Sequence, residues 1–506
     1  MTAAMNNRTR WYALVVLCMG GLMIVLDATI VNVALPSIRV SLGFSQSALA
    51  WVVNGYLLTF GGFLLLGGRL GDLYGHRRVF LIGLSLFTLA SLCCGLASSQ
   101  AMLIGARVVQ GFGGAVTSAV SLSLMMSLFV EPAERAKAMG VFGFVNAGGG
   151  TLGVLLGGVL TDLLSWHWIF LVNLPIGAAV FACSLRLLPP STLPSVRRRL
   201  DVAGALLVTS ALMLAVYAIV NGNQAGWGSG QTLGLLAGSA TLLVAFFVVE
   251  SRTRAPLIPL ELFRHRNLAS ANVVGILWAG AMFAWFFLSA LYLQLVLGYT
   301  PLEVGLAFLP ATVIMGAFSL GLSARLVMRF GIRWPVAVGL LLASAGLALF
   351  ARAPVGGQYL PDVLPSMILL GFGAGMAFNP ILLAAMGDVD PSESGLASGV
   401  VNTSFMMGGA LGLAVLASLA ALRTNNLLAA GHGHLSALAG GYHLAFVIGA
   451  GFALAAALLG AVLLRTGEAL PGHATEGEAA AEPAAHAAPE GVPEVALAGA
   501  SDGRDG

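Results

Sequence analysis

Apolar residues run along this chain in long blocks, broken at charges, Gly/Pro clusters and short polar stretches. A helix needs about 20 mostly apolar residues to cross a bilayer. Fourteen blocks reach about that length, at approximately 11–36, 48–68, 79–97, 101–126, 138–161, 166–188, 202–221, 232–250, 268–297, 303–324, 334–351, 363–384, 396–421 and 443–464. The first follows Arg8 and Arg10 as the core of a signal peptide would, but it continues to Val33 without a small-residue cleavage pattern and reads as a first span. The pattern predicts an all-α polytopic membrane protein.

Composition agrees. Only 24 Lys and Arg and 21 Asp and Glu occur among 506 residues, with 58% apolar residues and 66 Gly, whereas about a quarter of a soluble domain is charged. Glycine is also more frequent in membrane helices, where it lets neighbours approach closely. Counted over alternate loops, twenty basic residues fall on one side and only Arg39, Arg352 and Arg423 on the other, with Arg107 inside the fourth block. Basic loops stay in the cytoplasm. Both termini are therefore expected there, in a multi-pass protein of the plasma (cell inner) membrane. The net charge of +3 is spread through short loops, which excludes the clustered basic face that nucleic acid requires. Cys18, Cys93, Cys94 and Cys183 lie within apolar blocks and read as core thiols. From residue 465 the chain turns to Ala, Gly, Pro and Glu, the composition of a disordered tail.

The chain repeats itself. Arg69, Leu70, Gly75 and Arg77 recur as Arg325, Leu326, Gly331 and Arg333; Gly111-Phe112-Gly113-Gly114 recurs as Gly371-Phe372-Gly373-Ala374; and Gly149-Gly150-Thr151-Leu152-Gly153 recurs as Gly408-Gly409-Ala410-Leu411-Gly412. These echoes, 256 to 260 residues apart, imply two homologous halves. The expected organisation is a cytoplasmic N-terminus at 1–10, a six-helix bundle at 11–188, a linker at 189–267 carrying helices seven and eight, a second six-helix bundle at 268–464, and the tail at 465–506. Paired six-helix halves are a transporter architecture, with the substrate between them near mid-membrane.

An ionisable group inside a membrane is a functional candidate by default. Asp27 lies sixteen residues beyond Trp11, about 24 Å up a rising helix, and Arg107 about 9 Å below the outer start of a descending one. The two are expected at similar depth, either as a static ion pair or as a carboxylate that exchanges protons beside its arginine. The stretch carrying Gly68, Arg69, Gly71, Asp72, Gly75, Arg77 and Arg78 reads as a tight-turn loop. It serves either as a cytoplasmic latch of ion pairs or as simple positive-inside anchoring. Met328 and Met367 replace Asp72 and Arg107 in the second half. Asn32, Gln110, Trp278, Met282 and Phe286 are candidates for an adaptable cavity wall. His432 and His434 lack a third ligand, so no metal is expected. Lys137 follows Ala136 and no H-E-x-x-H occurs, so neither a nucleotide-binding phosphate loop nor a zinc protease site is present in the sequence. No enzyme activity or cofactor is expected, and the partners expected are protons, small amphipathic substrates and the lipid bilayer, with a monomeric chain.

Leu26-Asp27-Ala28-Thr29-Ile30-Val31-Asn32-Val33-Ala34-Leu35-Pro36, the stretch Gly68 to Arg78, Arg107-Val108-Val109-Gln110-Gly111, and Trp166-His167-Trp168-Ile169-Phe170 with Asn173-Leu174-Pro175-Ile176-Gly177 resemble the fourteen-span drug:proton antiporters of the major facilitator superfamily. The resemblance covers nearly the whole chain except the tail. It implies the major facilitator fold and proton-driven multidrug or antibiotic efflux by alternating access; a dedicated exporter of one metabolite, self-made antibiotic or lipid is the alternative. The chain departs from the family pattern at Gly153-Val154, where Gly-Pro is usual, and at Trp166-His167-Trp168, where Trp-Arg-Trp is usual. Without the proline the fifth span should be straighter, and Gly149, Gly150, Gly153, Gly157 and Gly158 are expected to seal one half against the other.

Overall fold

The computed structural model describes residues 7–129, 131–189, 201–253, 256–258, 260–387, 389 and 394–464. The expected tail, the start of the N-terminus, and Arg197, Arg198, Arg199 and Arg254 of the linker lie outside these residues. The helices are α1 (Asn7–Leu42), α2 (Ala50–Tyr74), α3 (His76–Gly95), α4 (Gln100–Leu128), α5 (Pro132–Leu163), α6 (Trp168–Leu171), α7 (Asn173–Leu187), α8 (Val202–Ala225), α9 (Gly230–Arg252), α10 (Arg266–Leu295), α11 (Pro301–Ala317), α12 (Ser323–Phe330), α13 (Arg333–Phe350), α14 (Leu364–Gly387), α15 (Ser394–Ala429) and α16 (His434–Leu463). Among the described residues twelve helical stretches are long and apolar enough to cross a membrane, and Gly148–Leu163 and Pro301–Ala317 are shorter apolar helices. The set is compatible with fourteen crossings.

Contacts between distant chain ends define two faces. On the near face, where α1 begins, Arg10 pairs with Glu134 at 2.9 Å, Arg77 donates to the Leu185 carbonyl and Arg266 to the Leu463 carbonyl. On the far face Gln100 donates to the carbonyls of Leu42 and Gly43, both at 3.0 Å. Three of the helices starting on the far face are capped by side chains: Ser99 accepts from Met102, Ser229 from Thr232, and Thr300 with Glu303 forms a capping box ahead of Pro301.

The repeated glycines do the same work twice. In α4, a Cβ at Gly111 would strike Thr59 and Tyr56 of α2, and one at Gly113 would meet the backbone of Gly83 and Phe87 in α3. In α14, Gly371 presses on Ala311 of α11, and Gly373 on Gly339 and Ala343 of α13. Likewise α5 packs on α1 through Gly149 and Gly153, and α15 on α10 through Gly408 and Gly412. With little hydrophobic drive between helices in lipid, close backbone packing of this kind holds a bundle together.

The expected loop at 68–78 is helical almost throughout. α2 runs to Tyr74 and α3 starts at His76, so Gly75, at φ 91°, makes the turn alone. Gly331 repeats it at φ 72°. Both sit in the region that only glycine enters freely.

Between the halves, α8 and α9 form a hairpin. α8 lies against α2, where Gly62 leaves room for Thr209. It also reaches α15, where Asn223 donates to the Ser418 carbonyl at 2.7 Å and Ser418 returns a bond to Ile219. Of the long apolar stretches α9 is the least enclosed, with 17% of its apolar window buried. Of the four thiols read as core, Cys18 and Cys94 are buried, but Cys93 and Cys183 are exposed on the outer surface. Cys93 and Cys94 are neighbours on one helix, about 100° apart around its axis, so they cannot share a face.

Candidate functional site

Asp27 and Arg107 meet inside the first half. Asp27 is wholly buried and Arg107 is 1% exposed; Arg107 Nη1 donates to Asp27 Oδ2 at 2.5 Å. The other carboxylate oxygen accepts from Gln110 Nε2 at 2.8 Å and Asn173 Nδ2 at 2.9 Å. Both amides also donate to Ser91 Oγ. Arg107 is held in turn by the Val52 carbonyl at 2.9 Å and Gln110 Oε1 at 2.8 Å. The Tyr56 ring lies 4.4 Å from its guanidinium carbon and the Phe170 ring 5.7 Å. A charge taken out of water is tolerable only when paired and hydrogen-bonded, and α1, α2, α3, α4 and α7 all contribute to that end.

Gln110 therefore serves the ion pair and not a cavity wall. Its spacing three residues after Arg107 puts both side chains on one helical face. Asn173 and Ser91 were not among the sequence candidates. Asn173 stood inside a family motif, but Ser91, within an apolar helix, gave no signal of its own. Asn173 Oδ1 is buried without a hydrogen-bond partner.

The remaining candidates are scattered. Asn32 donates to the carbonyls of Ala28 and Thr29 on its own helix. Trp278 is fully buried, and Phe286 stacks on Phe308 of α11 at 5.4 Å, so both belong to the interior of the second half. Met282 is half-buried. Beside it, Phe283 packs edge-on against Phe405, which also meets Phe378 at 5.5 Å. Phe378 and Phe405, with Ile381, Leu382, Val401 and Asn402, line an apolar pocket between α14 and α15. Neither Phe378 nor Phe405 had been singled out from the sequence, because aromatic residues in apolar helices carry no mark of the face they occupy.

The expected glycine seal proves to be mostly internal packing. Gly149, Gly153 and Gly157 face Leu22, Val25, Leu26, Thr29 and Ile30 of α1, in their own half, and Gly150 has no neighbour in reach. Only Gly158 meets the second half, at Pro301 and Leu302, opposite Gly305 of α11, which approaches the Val154 carbonyl. Residues 149, 153 and 157 recur every four positions along one stripe, and 158 lies about 100° around the helix from 157. α5 itself continues unbroken through Gly153-Val154. The halves also touch where Gln294 Nε2 donates to the Val33 carbonyl at 2.8 Å, and where Gly61 and Leu65 of α2 face Met406 and Gly399 of α15.

At the near face Gly71 packs on Val120 and His76, whereas Gly68 faces open space. Asp72 lies 3.3 Å from His76, a partner the sequence reading did not name. Arg69 is half-buried and Arg78 exposed. On the far face His167 stacks on Trp166 at 3.7 Å, and burial pushes its imidazole below the ordinary histidine value, so it is neutral at pH 7. Among the described residues no cluster of three metal-ligating side chains occurs.

The family model for the Major Facilitator Superfamily matches residues 17–413. The chain is 40% identical to the puromycin resistance protein pur8 of Streptomyces alboniger, over 90% of each chain. It is 40% identical to the cephamycin export protein CmcT of Amycolatopsis lactamdurans, over 90% of this chain and 93% of that one. In fold it is similar to the crystal structure of a bacterial homologue of the human lysosomal transporter Spinster, solved in an inward-facing and unoccupied conformation. The TM-score is 0.65 at 16% identity, covering 91% of this chain and 98% of that one.

Proposed function

Since the chain belongs to the major facilitator superfamily, we propose that this multi-pass membrane protein exports small amphipathic molecules, antibiotics among them, in exchange for protons. In this reading it acts as a monomer in the plasma membrane, the near face is cytoplasmic, and the substrate passes between the two halves by alternating access.

The observation that carries proton exchange is the environment of Asp27. A static pin between helices requires only the arginine. Here two amides also donate to the same oxygen, and one of them, Asn173, keeps a buried acceptor unused. When Asp27 takes a proton, rotation of the Asn173 amide turns a donor into an acceptor for the new O–H. Both protonation states are then hydrogen-bonded, which a proton-exchanging site inside a membrane needs. Val33, six residues and about 9 Å along α1, accepts the bond from Gln294 of the second half. A shift of α1 on protonation is thereby transmitted to a junction between the halves. The Phe378–Phe405 aromatic pair supplies an apolar surface for the substrate, and the Asp72 corner supplies a cytoplasmic latch.

The test uses purified protein in liposomes with an imposed pH gradient, an internal pH dye, and a panel of cationic, neutral and anionic amphiphiles including puromycin and a cephamycin. Proton flux that depends on a substrate supports the reading. A response to one compound alone favours a dedicated exporter, the reading to which the cephamycin export relative points. No proton flux with any transported compound refutes the coupling.

A further inference from the structure

Far from the Asp27 network, at the near-face end of the α8–α9 hairpin, two carboxylates are buried with no cation paired to them among the described residues. Asp201, which caps α8, is 7% exposed, and Glu250, two residues before the end of α9, is 3% exposed. Each has one oxygen satisfied by a backbone amide. Gly204 N–H donates to Asp201 Oδ1 at 2.8 Å, and Ile258 N–H to Glu250 Oε2 at 3.3 Å. The remaining oxygens, Asp201 Oδ2 and Glu250 Oε1, have no partner. They converge on one point, 2.7 and 2.8 Å from where a Cβ on Gly204 would stand. The two free oxygens therefore lie no more than about 5.5 Å apart, around the space that glycine leaves open.

The charge facing Glu250 is that of Asp201. Among the described residues, the other charged groups on the elements packed here are Arg69 and Asp72 near the end of α2 and Arg252 at the end of α9. Arg69 and Asp72 are half-exposed and Arg252 is exposed, and Asp72 pairs with His76. Two like charges in this enclosure, each with an unsatisfied oxygen, are strongly disfavoured. A metal ion would find two converging carboxylates where a calcium site supplies six to eight oxygens. A single proton answers both defects, because it cancels one charge and makes one carboxyl a donor to the other.

We propose that Asp201 and Glu250 share one proton, forming a second proton-binding site in the linker hairpin, separate from Asp27 and independent of what the protein transports. The site bears on the rest of the molecule through α2. Leu66 of α2, Ala205 of α8 and Leu257 form one apolar cluster beside the carboxylates, and Gly61 of the same helix faces α15. Loss of the proton drives the two carboxylates apart and so disturbs the packing of the hairpin on α2.

Infrared spectroscopy of the full-length protein in lipid tests this directly, because a protonated carboxyl has a C=O stretch distinct from that of a carboxylate. Near neutral pH, wild type should show an acid band that is lost equally in Glu250→Gln and Asp201→Asn, while a contribution from Asp27 cancels in the comparison. Both variants keep the hydrogen-bond geometry of the neutral pair and should fold. Thermal unfolding gives an independent readout. The shared proton raises proton affinity in the folded state, so its stabilisation is present at low pH and lost as pH rises. Wild-type Tm should fall as pH rises from about 4.5 towards neutrality, and Glu250→Gln should flatten that fall. Identical acid bands in all three proteins would overturn the proposal. So would a wild-type Tm that rises with added Na+ or Mg2+ and does so in neither variant, since a cation would then occupy the gap.

Discussion

Replacing both members of the Asp27–Arg107 pair, singly and together, separates a buried ion pair from an ordinary interhelical hydrogen bond. Asp27→Asn leaves the guanidinium buried with the Val52 carbonyl, Gln110 Oε1 and the Tyr56 face, but no counter-charge. Breaking one side of a buried pair costs about 3–5 kcal/mol. With two carbonyl acceptors and an aromatic face retained, the lower end, about 3 kcal/mol, is expected. Arg107→Gln strands the carboxylate, although Gln110 and Asn173 still donate to it. The double variant Asp27→Asn/Arg107→Gln holds no buried charge, so it should be less damaged than the two single losses added together. Unfolding equilibria in mixed micelles yield the coupling energy. About 3 kcal/mol marks an ion pair, whereas interhelical hydrogen bonds in membrane proteins average about 0.6 kcal/mol. In the same preparations, pH-gradient-driven transport should disappear in Asp27→Asn. Coupling below about 1 kcal/mol would mean that the pair is not energetically real, and full proton-driven export by a folded Asp27→Asn protein would refute its role in exchange.

Other consequences follow from the same geometry. Gly158→Leu, against Pro301 and Leu302, should wedge the halves apart and make liposomes leak protons without substrate, while Gly153→Leu, against Thr29 and Leu26, should instead lower stability by about 1–3 kcal/mol through overpacking; the reverse pattern would overturn the assignment of these two faces. Asp72→Asn should leave substrate binding largely intact and slow turnover, which binding and flux measured side by side can check. The imidazole of His167 is held below its ordinary value, so folding favours its neutral form and stability is lost as pH falls below about 6.5; unfolding of His167→Gln should be less sensitive to acid than that of wild type. Single cysteines at Asn223 and Ser436 should react with an impermeant reagent added outside cells, and one at Ser195 should not.

The sequence by itself determined everything that depends on composition along one chain. Blocks of about 20 apolar residues leave no solution but membrane helices, because unpaired backbone amides are too costly in lipid. The glycine echoes reported two halves because the same close approach, α4 on its neighbours and α5 or α15 on its partner, is built twice. The pairing of Asp27 with Arg107 was legible as well, since depth follows from counting residues along two straight helices. Facing is what counting residues could not supply. A glycine stripe reads the same whether it meets α1 or α11, and only the packed bundle assigned Gly153 to one and Gly158 to the other. Gln110 left the cavity for the ion pair, and Ser91 and Asn173 joined it, because partners on five helices converge only after those helices are placed. Asp201 and Glu250 lie far apart in sequence, each near a helix end where a carboxylate is ordinarily solvated. Tertiary packing alone buried both around the same missing methyl group of Gly204.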